Sequence, residues 1–72
     1  MEFIDMLVRV RDKLKFGGIR KIKFRSKSWE EGFYYIANKG MMLDYYDANG
    51  KIGTTLGFSD DDLDKNDWEF VE

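Results

Sequence analysis

Gly17-Gly18-Ile19-Arg20-Lys21-Ile22-Lys23-Phe24-Arg25-Ser26-Lys27-Ser28-Trp29-Glu30-Glu31-Gly32-Phe33-Tyr34-Tyr35-Ile36 reads as two strands joined by a polar turn, with Trp29 expected at the surface of that turn. From Ile19 to Arg25 the residues alternate, with Lys21, Lys23 and Arg25 on one side and Ile22 and Phe24 on the other. That is the period of a half-buried strand with a basic outer face. Ser26 to Gly32 forms the turn, and Phe33 to Ala37 is an aromatic-rich second strand. The rest of the chain is expected to pack on this pair or to extend it.

Upstream, Phe3, Leu7, Val10 and Leu14 recur at the spacing of one helical face, and Ile4, Met6 and Val8 widen the stripe. The spacing predicts an amphipathic helix over residues 2–15, with Glu2 and Asp5 near its start and Lys13 and Lys15 near its end, where the helix dipole favours each sign. Gly17-Gly18 supplies the left-handed residue that stops it.

Downstream, Asn38-Lys39-Gly40 predicts a short hairpin turn whose Gly40 can take positive φ, followed by a third strand from Met41 to Tyr46. Asp47-Ala48-Asn49-Gly50 is a hairpin turn, because Asn and Gly tolerate the dihedrals it demands, and Lys51 to Leu56 pairs back as a fourth strand. Ser59 caps a helical turn over Asp60 to Leu63, and Trp68 to Val71 is a last short strand with Trp68 and Phe70 on one side. The expected architecture is a single α+β domain over residues 1–72, an N-terminal amphipathic helix packed on a four- to five-stranded antiparallel sheet. Phe24, Phe33 and Phe70 are expected in its core.

Composition narrows the function. The chain of 72 residues has no Cys and no His. Disulfides and thiolate metal sites are excluded, a reducing cytoplasmic compartment fits, and the commonest general base and thiol nucleophile are missing. No enzyme is expected. With acidic residues beside the apolar ones near the N-terminus and no long apolar run, neither a membrane span nor a signal peptide is expected. The acidic run Asp60-Asp61-Asp62-Leu63-Asp64 fails as a calcium loop. With Asp60 first, the turn-glycine position falls on Lys65 and the bidentate-acid position on Val71. No metal or cofactor is expected.

Charge is unevenly spread. Residues 1–28 hold nine of the twelve Lys and Arg against three acids, whereas residues 29–72 hold three bases against eleven acids. Such asymmetry suits an anion-binding face, or two halves that neutralise each other in the fold or across an oligomer. Tyr34-Tyr35 and Tyr45-Tyr46 place one tyrosine of each pair on each face of its strand, so aromatic rings occupy the face away from the helix. Flat rings beside Lys or Arg stack a nucleobase and hold a phosphate. An aromatic outer face therefore suggests a ligand or a second copy of the chain.

Three features together resemble a known family. They are the N-terminal helix ending in glycine, the basic strand running into Arg25-Ser26-Lys27-Ser28-Trp29, and the terminal stretch Asp62 to Val71 with Asp67-Trp68-Glu69-Phe70-Val71. The chain resembles the small phage proteins related to the second-type Thoeris anti-defence proteins, formerly grouped as a domain of unknown function. Here Asp64-Lys65 stand where that family has Leu-Ala, and the interval from Gly18 to Trp29 is longer.

The resemblance implies a molecular sponge in the host-cell cytoplasm. Such a protein is a non-enzymatic homo-oligomer that sequesters a nucleotide-derived second messenger, such as a cyclic ADP-ribose variant or a cyclic dinucleotide, between protomers. Carried onto this chain, it implies ligand contacts at Arg25, Trp29 and Asp67, with Trp68 in the core. Lys27, Tyr34 and Tyr45 join them from strand facing. The alternative is a protein-directed inhibitor, in the manner of an anti-CRISPR, whose acidic C-terminal part faces a host defence nuclease or effector. A nucleic-acid ribbon over Arg20 to Lys27 is disfavoured by the acidic second half.

Overall fold

The chain folds as one helix, a five-stranded antiparallel sheet and a second short helix in the computed structural model, which describes residues 1–29, 31–38, 40, 42–55 and 59–71. Helix α1 spans Phe3–Phe16, with Asp5 in its first turn and Lys13 and Lys15 in its last. Its buried stripe is Phe3, Met6, Val10 and Leu14. Of the expected stripe, Leu7 is only half-buried, while Met6 takes its place in the core. Ile4 and Val8, which the sequence also placed on the stripe, are exposed. Gly17 closes the helix through its N–H to the Lys13 carbonyl at 3.0 Å, and Gly18 then turns the chain at φ +69°.

The strands are β1 (Lys21–Ser26), β2 (Tyr34–Asn38), β3 (Leu43–Asp47), β4 (Gly50–Thr55) and β5 (Trp68–Phe70), and the order across the sheet is β4-β3-β2-β1-β5. Ile19 and Arg20 precede β1 rather than open it, because the Gly18 turn has not yet delivered the chain into the sheet. Met41 and Leu56, the expected limits of the third and fourth strands, lie outside the described residues, as does Lys39. The Gly40 N–H bonds the Asn38 side chain at 3.0 Å, so a side-chain acceptor shapes that turn. Gly50 adopts positive φ, at +128°, as the Asn-Gly turn requires. Between Tyr45 and Tyr46 the β3–β4 register slips, so Lys51 and Ile52 together oppose Tyr46 as a bulge.

Register assigns the two faces. Inward, Phe24 pairs Tyr35 and Phe70, Tyr35 pairs Tyr45, and Ala37 pairs Leu43. These side chains join α1 in a core of Phe3, Met6, Val10, Leu14, Ile22, Phe24, Tyr35, Ala37, Leu43 and Trp68. Trp68 is its centre, with ring centroids 4.6 Å from Phe3, 5.8 Å from Phe24 and 5.1 Å from Trp29. Helix α2 (Asp60–Asp64) begins at Ser59, whose hydroxyl accepts from the Asp62 N–H at 3.3 Å, the cap read from sequence. Outward lie Lys21, Lys23 and Arg25 of β1, Tyr34 and Ile36 of β2, Asp44 and Tyr46 of β3, and Glu69 of β5. No described helix covers this face.

Candidate functional site

Two places gather chemistry, and they lie on opposite faces of the sheet. The outer face carries a cation and two rings in series. Lys23 is on β1, Tyr34 on β2 and Tyr46 on β3, so the antiparallel registry brings three distant side chains together. The Lys23 ammonium sits 3.9 Å from the Tyr34 ring centroid, and Tyr34 stacks on Tyr46 at 5.1 Å with planes only 5° apart. Lys51, opposite Tyr46 across the bulge, pairs with Asp44 at 3.4 Å. The Thr54 hydroxyl also bonds Asp44, at 2.7 Å. That hydrogen bond, helped by Lys51 and Lys21, holds the Asp44 carboxyl below its ordinary value. Lys27, at the end of β1, lies 4.0 Å from Glu69 across β5.

The other place is an open depression of about 380 Å³ at the mouth of the β1–β2 turn, lined by Ser28, Trp29, Phe33 and Tyr45. Trp29 is not the exposed side chain expected from sequence. It is half-buried and meets Tyr35, Tyr45 and Trp68 edge-on at 5.1, 5.8 and 5.1 Å, so one edge of the core, rather than a free ring, faces the depression. Phe33 is not a core residue either. It precedes β2, is half-buried, and stacks on Tyr45 at 5.9 Å.

Short polar contacts hold the turn. The Ser26 hydroxyl, fully buried, donates to Asp67 at 2.5 Å, and the Ser28 N–H donates to the other Asp67 oxygen at 2.9 Å. From the outer side, the Arg25 guanidinium reaches round to donate to the Trp29 carbonyl at 2.6 Å and to the Ser26 carbonyl at 3.2 Å. Asp67 and Arg25, both expected at a ligand, thus fix the Trp29 turn from two sides. The hydrogen bond from Ser26 leads the contacts that hold the Asp67 carboxyl below its ordinary value. A group with a lowered folded-state pKa adds stability that is complete above the unfolded value and disappears as pH falls through the folded one. Stability should therefore fall as acid is added below about pH 4, where free carboxyls protonate. Asp67→Asn should flatten that limb in acid-titrated urea melts, and an unchanged limb would remove Asp67 from the account.

The expected ligand residues are thus divided. Tyr34, Arg25 and Lys27 belong to the outer face or its margin, Trp29 and Tyr45 to the depression, and Asp67 to the turn between them. Strand parity carried a signal that joins Tyr34 to Tyr46 rather than Tyr45, since residues of one parity share a face of an antiparallel hairpin with this registry. Lys23 was legible as outward from the same alternation. Asp62 was missed: it is buried within the acidic run and accepts from the Tyr35 hydroxyl at 2.8 Å. Burial and that carboxylate raise the Tyr35 pKa, so the phenol stays protonated and donates.

Among the described residues, no helix is long and apolar enough to cross a membrane. Comparison with family models, with curated proteins and with solved structures finds no match.

Proposed function

We propose that this chain is a non-enzymatic binding protein that sequesters a nucleotide-derived signalling molecule, acting in the host cytoplasm as the second-type Thoeris anti-defence proteins it resembles do. The observation that supports this most is the Lys23–Tyr34–Tyr46 series on the uncovered sheet face. Stacked rings offer a base a π surface, and Lys21, Lys23 and Lys51 offer phosphate oxygens their cations. Asp44 and Glu69 within the same face offset part of that charge, which suits one small anionic ligand better than a long polyanion. The site thereby moves from the Trp29 turn to the open face. A second copy laid over that face would enclose the ligand, as the homo-oligomer of the resemblance requires.

The test is thermal unfolding against cyclic ADP-ribose isomers and cyclic dinucleotides. A ligand bound only by the folded state at about 100 times its dissociation constant adds roughly 2.7 kcal/mol, a shift of several degrees in a domain of this size. Tyr46→Ala and Lys23→Ala should abolish the shift, while Trp29→Ala should lower the baseline melting temperature and leave the shift in place. A panel without any shift would reject the sponge. It would favour the protein-directed inhibitor instead, for which Asp60, Asp61 and Asp64 stand exposed on α2.

A further inference from the structure

We propose that the depression at the β1–β2 turn is a second binding site, one for an organic cation, an alkylammonium or guanidinium group, independent of the anion-directed outer face. Its walls are aromatic on three sides: Trp29 and Tyr45 meet at 70°, and Phe33 lies nearly parallel to Tyr45. An aromatic lining flanked by carboxylates attracts a soft cation and gives a neutral group of equal size little beyond contact. The volume, about 380 Å³, admits a head group with its stem leading out to solvent.

The surrounding charge has the same sign preference. Asp47 closes β3 two residues beyond Tyr45, Asp62 lies under Tyr35, and Asp67 sits behind Ser28. Burial first, then the same Asp47 and Asp62 charges, raise the Tyr45 pKa. The cation of the turn itself, Arg25, is directed to the Ser26 and Trp29 carbonyls, and Lys27 lies toward Glu69 on the other side of the sheet. One small domain thus sorts charge by face, taking anions outside and cations at the turn.

The probes are tetramethylammonium, as the free onium ion, and acetyl-arginine amide, as the side chain of a polypeptide. tert-Butanol is the neutral control of similar shape. Proton–nitrogen NMR of the full chain should show saturable shifts of the Trp29 indole N–H with at least one cation and at least tenfold weaker ones with tert-butanol. Preference for acetyl-arginine amide would indicate a protein partner, and preference for tetramethylammonium a free amine. Phe33→Leu, which keeps bulk and removes the π face, should weaken binding by roughly two- to fivefold, and Asp47→Asn by a similar factor. Tyr34→Ala, on the opposite face, should leave it unchanged. Equal shifts from cation and alcohol, no shift from either cation, or loss of binding in Tyr34→Ala would each overturn the proposal. The wild-type comparison decides it even if a variant folds poorly, and it is independent of the nucleotide panel.

Discussion

Trp68→Ala should remove about 3–5 kcal/mol of stability, the cost of truncating a large buried aromatic when its surroundings close only partly over the gap. A chain of this length has an unfolding free energy of roughly 4–10 kcal/mol, so the loss takes from about a third of that stability to all of it. The size of the effect follows from position. Trp68 is 2% exposed, touches the rings of Phe3, Phe24, Trp29 and Tyr35, and donates its indole N–H to the Asp62 carbonyl at 3.3 Å. It therefore joins α1, the sheet, the β1–β2 turn and α2 in one contact set. Trp68→Phe should retain a cooperative transition, since it keeps an aromatic ring but loses the hydrogen bond and part of the volume. Urea melts followed by far-ultraviolet circular dichroism measure both. A loss for Trp68→Ala below about 1 kcal/mol, the effect of an average substitution, would show that the core closes without this ring.

Tyr35→Phe should cost about 1.5–3 kcal/mol, although it removes a single oxygen. The phenol donates to the carboxylate of a residue that is 5% exposed, and without it Asp62 remains buried with its charge less well compensated. Asp62→Asn should cost less, because an amide oxygen still accepts from Tyr35 and the burial of charge is relieved. A double-mutant cycle over Tyr35→Phe and Asp62→Leu isolates the coupling, expected between about 0.5 and 3 kcal/mol. Additive losses would mean that the two groups act separately.

Most of the fold was legible because each element carries its own signal. Alternation wrote β1, the Asn49-Gly50 pair wrote the β3–β4 hairpin, and Ser59 with the acids after it wrote α2. What could not be read is where several weak signals compete in space. Trp29 sits in a polar turn, and the distant pairing of Ser26 and Ser28 with Asp67, with Arg25 on the Trp29 carbonyl, holds that turn where the indole lies on Trp68. Phe33 is apolar, yet it falls just outside the strand and so misses the core. Ile52 is left 54% exposed by a register slip that no local pattern announces.

The candidate sites were legible to a smaller degree. Lys23, Tyr34 and Tyr46 sit on one face by parity alone, but their series needs the β1-β2-β3 order. The division of Arg25, Trp29, Tyr45 and Asp67 between faces needs the turn geometry. Asp62 was hidden among four similar aspartates, of which burial selects one.

The pairing of β5 with β1 also sets the order in which the chain matures. Ser26 and Asp67, bonded in the folded protein, are 41 residues apart, and Trp68 seals the space between them under α1. A growing polypeptide leaving the ribosome would display Phe3, Phe24 and the buried stripe of α1 to the crowded cell until Trp68 emerges. The β2–β3 and β3–β4 hairpins close over short loops and form earlier, so docking of the last strand is the slow, entropy-limited event. A chain cut before Trp68 should leave the β1 edge and the apolar stripe of α1 uncovered, and the full chain should bury both.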